Sequence, residues 1–201
     1  MKRSAEKTSE DQQIHYVVCN ESSMSEEHFE HLMHHATSIV PSAFNTQATR
    51  LVLLTGKPNQ QFWSLVRDTL QALIPEEIFA QTKLKIDQQF ANGYGTILFF
   101  EDQEAVEQIK KNFSQHKDSF QTYANHTSAM HQLALWLMFE DEGLGVSIQH
   151  YNLLIGETIR EAFALPRSWN FIVQMPLENP TKAIPETNTS QVISESIRII
   201  H

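Results

Sequence analysis

Along the first half of the chain, apolar residues recur at three- and four-residue intervals interrupted by short aliphatic runs, the pattern of helices alternating with strands. From Ser25, glutamates and histidines alternate with Phe29, Leu32, Met33 and Ala36, which predicts a helix with an acidic first turn that suits the helix dipole; Pro41 ends it. Leu51 to Leu54 read as a buried strand. Lys57-Pro58 opens a second helix, with Phe62, Leu65, Val66, Leu70 and Leu73 on one face before Pro75. Residues 76–91 carry a mostly helical pattern, Gly93-Tyr94-Gly95 turns the chain into the strand TILFF (96–100), and Val106, Ile109 and Phe113 mark a third helix.

The second half is less even. From about Tyr123 to Glu140 the pattern is helical and, in its latter part, apolar nearly all round, as for a helix buried on every side or shared with a partner chain. It stops at EGLG (142–145). GVSIQHY (145–151) reads as a short strand, IGETIREAF (155–163) as a short helix, WNFIVQMPL (169–177) as a strand and QVISESIRII (191–200) as a terminal strand-like segment. Residues 1–13 are polar and expected to be flexible, and 178–190 form a Pro- and Thr-rich connector. Strands lying between helices, with one strand far along the chain, predict an α+β layered domain whose sheet is completed by a distant segment, from this chain or from a second subunit.

Composition narrows the function. A chain of 201 residues, 41% hydrophobic and 19% charged, is enough for a single domain over 1–201 or half of an intertwined dimer. Its net charge of −9 excludes a broad electrostatic grip on nucleic acid or anionic lipid. The lone Cys19 fits a reducing compartment and excludes an internal disulfide framework. The N-terminus lacks the apolar core of a signal peptide, and the longest apolar run, LALWLMF (133–139), falls short of the roughly 18–20 residues of a membrane span. A cytoplasmic protein without membrane or nucleic-acid partners is expected.

Three features invite a chemical reading. The histidines of HFEHLMHH, at 28, 31, 34 and 35, place His31 and His35 four apart, but no Glu sits three residues before any of them and no HExxH occurs; a solvated helix face is expected, with no metal site. No GxGxxG and no GxxxxGK[ST] is present, so a cofactor is not held by either phosphate fingerprint. PSAFNTQ (41–47) is by itself a helix-to-strand loop, and EGLG by itself a helix terminus.

Taken together and in order, PSAFNTQATR, FAQTKLKIDQQFANGYGTILFFEDQ, EGLGVSIQHYN and LPRSWNFIVQMP resemble the nitroreductase-like FMN flavoproteins, specifically their small bacterial and fungal branch, over about Tyr16 to Pro176. The resemblance implies an α+β nitroreductase-like fold: a central mixed sheet flanked by helices, in a homodimer with FMN at the interface and each C-terminal segment completing the partner's sheet. It implies that Pro41, Ser42, Ala43, Asn45 and Gln47 lie along the flavin ring or ribityl chain. Glu142, Gly143, Leu144 and Gly145 would sit on its other side, with an N–H of Glu142 or Gly143 toward N5. Lys85, or Lys83 in an alternative register, would face the pyrimidine edge, and Phe44, Tyr123 and His126 are the candidates over the ring. No side chain is required as a catalytic acid or base: NADH or NADPH would give hydride to the flavin, and a nitroaromatic or quinone-like acceptor would take the electrons in ping-pong fashion.

The chain departs from that family at the phosphate end. Where the family has Arg-Arg-Ser-x-Tyr, this sequence has Gln12-Gln13-Ile14-His15-Tyr16, and of two C-terminal basic positions only Arg198 remains, the other being Ser196. Charged hydrogen bonds to phosphate contribute about 1.5–3 kcal/mol each, so their loss weakens FMN binding by up to several powers of ten. A rival register takes Lys2-Arg3-Ser4 as the basic motif, and His15 is a further donor. The departure raises an alternative: a nitroreductase-like protein with weakened FMN binding that acts as a small-ligand-binding or regulatory protein.

Overall fold

A computed structural model describes Val18, Cys19, residues 24–180, Arg198 and Ile200. In chain order the elements are β1 (Val18–Cys19), α1 (Glu26–Ile39), β2 (Thr49–Thr55), α2 (Gly56–Leu73), α3 (Glu76–Lys85), a π turn (Ile86–Phe90), β3 (Gly95–Asp102), α4 (Gln103–Asn112), α5 (Phe120–Asp141), β4 (Gly145–Val146), α6 (Asn152–Ala162) and β5 (Trp169–Pro180). The strands lie in the order β1-β5-β3-β2, with β4 also on β5.

The run Ile97-Leu98-Phe99-Phe100 explains the layering. A strand sends alternate side chains to opposite faces, so a continuous apolar run demands cover on both. Ile97 and Phe99 pack with Val173, Met175 and Leu177 under Phe29 and Ala36 of α1 and Leu135 and Phe139 of α5. Leu98, Phe100 and Phe171 pack on the other face under Phe62, Trp63, Val66 and Leu70 of α2, Phe79 of α3, and Ile155 and Ile159 of α6. The second face also holds a polar relay: Trp63 Nε1 donates to Thr96 Oγ1 (2.9 Å), Thr96 Oγ1 donates to Asn59 Oδ1 (2.6 Å), and Asn59 Nδ2 donates to the Phe90 carbonyl (3.1 Å). It ties α2, β3 and the π turn into one unit.

The α+β reading holds, with three differences in detail. Every strand pairing among the described residues is antiparallel, where a mixed sheet was expected; the C-terminal segment that would complete a partner's sheet lies outside the described residues. GVSIQHY forms strand only at Gly145–Val146, with one further bridge from Gln149 to Gln174. The register puts Ser147 opposite Pro176, which has no N–H for the ladder. β5 runs on to Pro180, through the first residues of the expected connector, because Glu178 pairs with Gly145, and Asn179 and Pro180 pair with β1.

Among the described residues, two surfaces lack cover. β2 bonds to β3 on one side, and among the described residues its other edge is unpaired. Helix α5 buries Thr127, His131, Leu135 and Phe139 on one stripe, while Met130 and Leu133 are exposed, Leu133 by 52%. Of the two sequence readings for this helix, burial on every side is therefore excluded within one chain.

Candidate functional site

The loop between α1 and β2 is held in an unusual backbone conformation. Phe44, Asn45 and Gln47 have φ of 54°, 54° and 49°, the left-handed region that L-residues occupy only when their surroundings require it. Ser42 supplies that requirement: its Oγ accepts from the Gln47 N–H at 3.0 Å and its carbonyl from the Asn45 N–H at 3.0 Å. Arg50 adds a second tether, with Nη1 donating to the Gln47 carbonyl at 2.8 Å and Nη2 to Asp102 Oδ2 at 2.9 Å. The outcome is that the side-chain amides of Asn45 and Gln47 stand exposed and make no hydrogen bond with the described residues. Pro41 is exposed, and Ser42 and Ala43 are half-buried beside them.

A cleft of about 430 Å³ opens next to this loop, lined by Thr37, Val40, Ser42, Gln47, Thr49, Arg50 and His131. It continues along the unpaired edge of β2 past Met33, Leu51 and Leu53. His131 is buried, and burial lowers its pKa. Its Nδ1 lies 2.9 Å from the Thr127 carbonyl, an acceptor only, so Nδ1 carries a proton and donates there. On the loop's other flank Phe44 packs on Phe113, Phe120 and Tyr123, with centroids 4.6, 5.3 and 6.4 Å apart. Phe44 and Tyr123, two of the candidates for a place over the ring, are thus neighbours in one aromatic cluster. His126 is exposed and outside that ring cluster.

EGLG closes α5 as a Schellman turn. Gly143 has φ +84°, Leu144 N–H donates to the Phe139 carbonyl (2.9 Å) and Gly143 N–H to the Glu140 carbonyl (3.0 Å). Leu144 is buried in the core with Phe139, so its side chain is structural. Glu142 N–H donates to the Met138 carbonyl at 3.2 Å. Both amides expected to face a flavin N5 therefore already donate within the helix end, and either must yield its bond to serve a ligand. The Glu142 carboxylate meets His28 Nε2 at 3.1 Å, which gives one of the α1 histidines a partner.

Lys85 belongs to the EGLG end of the sheet. Its Nζ lies 5.0 Å from the Phe90 ring centre, and among the described residues no carboxylate is within ion-pair distance of it. Lys83 instead pairs with Asp87, which Arg67 also holds at 3.2 Å. Of the two lysines, the geometry leaves Lys85 as the available charge. Arg198 is exposed and makes no ion pair with a described residue; Gln12, Gln13 and Ser196 lie outside the described residues.

The two halves are far apart within one chain. The loop 41–47 enters β2 at Thr49, opposite Glu101, whereas Gly145 joins β5 at Glu178, beside the Gly95–Leu177 and Thr55–Gly95 pairs. They sit at opposite ends of the sheet, about 20 Å apart over six strand steps. One chain cannot present both to one ring.

The sequence model of the nitroreductase family matches residues 20–177. The chain belongs to the nitroreductase family. Among its relatives, the putative nitroreductase HBN1 of Saccharomyces cerevisiae is 31% identical over 140 residues, 70% of this chain and 68% of that one. The solved nitroreductase CinD from Lactococcus lactis, in complex with chloramphenicol, superposes with a TM-score of 0.85 at 28% identity, over 98% of this chain and all of that one. A nitroreductase from Desulfitobacterium hafniense with bound FMN has a TM-score of 0.72 over the full length of both chains at 15% identity, a likeness of fold alone. No helix among the described residues is long and apolar enough to cross a membrane.

The sequence reading missed Arg50, His131 and Glu178. Arg50 closes the very motif PSAFNTQATR, and that place in the motif was the signal available. Glu178 is 1% exposed, and burial pushes its carboxyl up to about 8 while the charge of Lys85 pulls it down. The folded chain therefore holds this proton more tightly than the unfolded chain does. The contribution of Glu178 to stability is fully present below the ordinary value of 4.5, is lost as pH rises from there to about 8, and is level above it. Glu178→Gln should flatten that part of the curve, measured as melting temperature at intervals between pH 5 and 9; parallel curves for the two proteins would refute the assignment.

Proposed function

We propose that this nitroreductase-family oxidoreductase is an FMN-dependent, NAD(P)H-oxidising homodimer whose two flavin sites are each assembled from both chains. The observation that carries this is the separation of the two motif halves to opposite ends of one sheet. A two-fold axis that sets the loop of one chain against the EGLG end of its partner supplies both halves twice. The exposed α5 face with Met130 and Leu133 offers apolar surface for such a contact, and the open β2 edge offers a place for the partner's C-terminal segment.

The groups present suit a flavin ring. Asn45 and Gln47 offer exposed, unbonded amides to its heteroatoms, and Lys85 offers positive charge to its pyrimidine edge. Bound FMN supplies hydride acceptance from NADH or NADPH and electron delivery to a nitroaromatic or quinone-like acceptor, in two half-reactions. The chain's own work is to hold the loop in its strained form through Ser42 and Arg50, to keep Lys85 clear of other carboxylates, and to leave Phe44 and Tyr123 as a slot for a flat acceptor. CinD, of the same fold, was solved with chloramphenicol, and the D. hafniense protein with FMN, which supports this reading. The lone cysteine and the reducing chemistry fit the cytoplasm.

Mixed dimers test the arrangement. A Gln47→Ala, Asn45→Ala chain and a Gly143→Val chain are each expected to lose FMN-dependent NAD(P)H oxidation. Unfolded and refolded together in equal amounts, they should recover about a quarter of the wild-type activity, because half the dimers are mixed and each of those has one intact site. No recovery in verified mixed dimers would refute the shared site. The alternative of a flavin-poor binding protein, motivated by Gln12, Gln13 and Ser196, predicts a colourless chain that FMN neither binds nor activates.

A further inference from the structure

One buried acid has no part in that reading. Glu178 is 1% exposed near the end of β5, paired with Gly145 of β4, and its Oε2 has no hydrogen-bond partner. Burying a carboxyl oxygen without a partner is unfavourable, and far more so for the ionised form. Such a group persists where something else accepts or supplies the missing bond. The alternation of β5 fixes its direction: Val173, Met175 and Leu177 enter the core under α1 and α5, so Glu178 lies on the opposite face, with Pro176 and its partner Thr96. That is the face of α3 and the π turn, which carry Lys85 and Gln89. A Cβ on Gly93 would lie 2.7 Å from the Leu177 carbonyl and 3.2 Å from that of Gln89, so strand and turn are in direct contact there. Gln89 Oε1 is likewise buried without a partner.

We propose that Glu178 is a further residue of the flavin-ring site, a positioning acid whose protonation decides whether Lys85 presents its full positive charge to the ring. The inference rests on the flavin reading above and adds a residue to it. Among the described residues, Lys85 is the charge that acts on Glu178. The neighbouring strand positions, Gly95 and Thr96 on β3 and Gly145 and Val146 on β4, do not titrate, and β1 brings one titratable position, Cys19, opposite Asn179. Asp87 of the π turn is held by Lys83 and Arg67, and Glu142 by His28. With its carboxyl pushed up to about 8 by burial, Glu178 is neutral at pH 7 and Lys85 acts unopposed on the negative charge that reaches the ring on reduction. As pH rises past that value the acid ionises and offsets Lys85, and the reduced cofactor is held less tightly.

The test uses the full-length chain with FMN itself. Affinity for oxidised FMN is measured by fluorescence, and the midpoint potential of the bound flavin by dye equilibration, between pH 6 and 10 in wild type and Glu178→Gln. Between pH 7 and 9 the wild type should lose about tenfold more affinity for reduced than for oxidised FMN, a loss absent from Glu178→Gln. FMN bound by both proteins with superimposable pH profiles overturns this inference and leaves the flavin reading standing. FMN bound by neither at any pH removes the flavin reading and this inference with it. Should Glu178→Gln fail to fold, the infrared carboxyl band of the wild type serves: a titration midpoint that moves on FMN binding supports the role, and one that stays put refutes it.

Discussion

Replacing Trp63 by alanine should lower the free energy of unfolding by about 3–5 kcal/mol, the range for removing a large aromatic side chain from a packed core. Trp63 is fully buried and packs on Phe62, Phe90 and Tyr151 at centroid distances of 5.0, 4.6 and 6.1 Å. Its N–H also begins the relay through Thr96 and Asn59 to the Phe90 carbonyl. Trp63→Phe keeps much of the packing but leaves Thr96 Oγ1 without its donor, so about 1–3 kcal/mol of the loss should remain. Chemical denaturation monitored by circular dichroism reads both. Because the relay anchors the π turn that follows Lys85, Trp63→Phe should also weaken FMN binding at a temperature where the protein is fully folded. A folded Trp63→Phe protein with wild-type stability would show that the relay contributes nothing.

Lys85→Met should reduce FMN affinity by about 10- to 150-fold, the equivalent of one charge-assisted hydrogen bond of about 1.5–3 kcal/mol. Methionine keeps the length and apolar stem of the side chain, so packing against Phe90 changes little. Lys83→Met is the internal control. Its ammonium is committed to Asp87, on the side chain that Arg67 also holds, and its loss should alter affinity by less than about threefold, the small effect of an exposed pair. Flavin fluorescence titration of the apoproteins distinguishes the two. Equal losses in both variants, or a loss confined to Lys83→Met, would put the pyrimidine edge elsewhere.

The helices were legible because each carries its own period and its own stop. Ser25 and Pro41 bracket α1, and Lys57-Pro58 and Pro75 bracket α2, within a residue or two of the observed ends. Strand order was not legible. β5 lies next to β3 through pairs such as Phe99 with Val173, and nothing local to either segment names the other. The ladder expected over GVSIQHY failed for a reason that was present in the sequence, Pro176, but that acts only once the register is known. The site shows the same division. The loop and EGLG were readable as motifs, and the structure keeps each as a formed turn with a strained or left-handed residue at its centre. What no motif conveys is that β2, β3 and β5 carry the two turns to opposite ends of a sheet. Glu178 escaped notice because an acid at the end of an apolar strand ordinarily marks the return to solvent; here it is buried on the sheet face that carries α3 and the π turn.

The bare edge of β2 bears on how this protein is handled. Seven residues, Thr49–Thr55, offer a row of backbone donors and acceptors that no strand among the described residues pairs, with Leu51 and Leu53 half-covered beside it. A chain without its partner is then a template for any extended peptide, including another copy of itself in the wrong register. In the proposed homodimer, dilution becomes a hazard in its own right, since it strips the cover by mass action while every helix remains intact. Loss of activity in a dilute assay would then occur with helical content unchanged, and reconcentration would restore it.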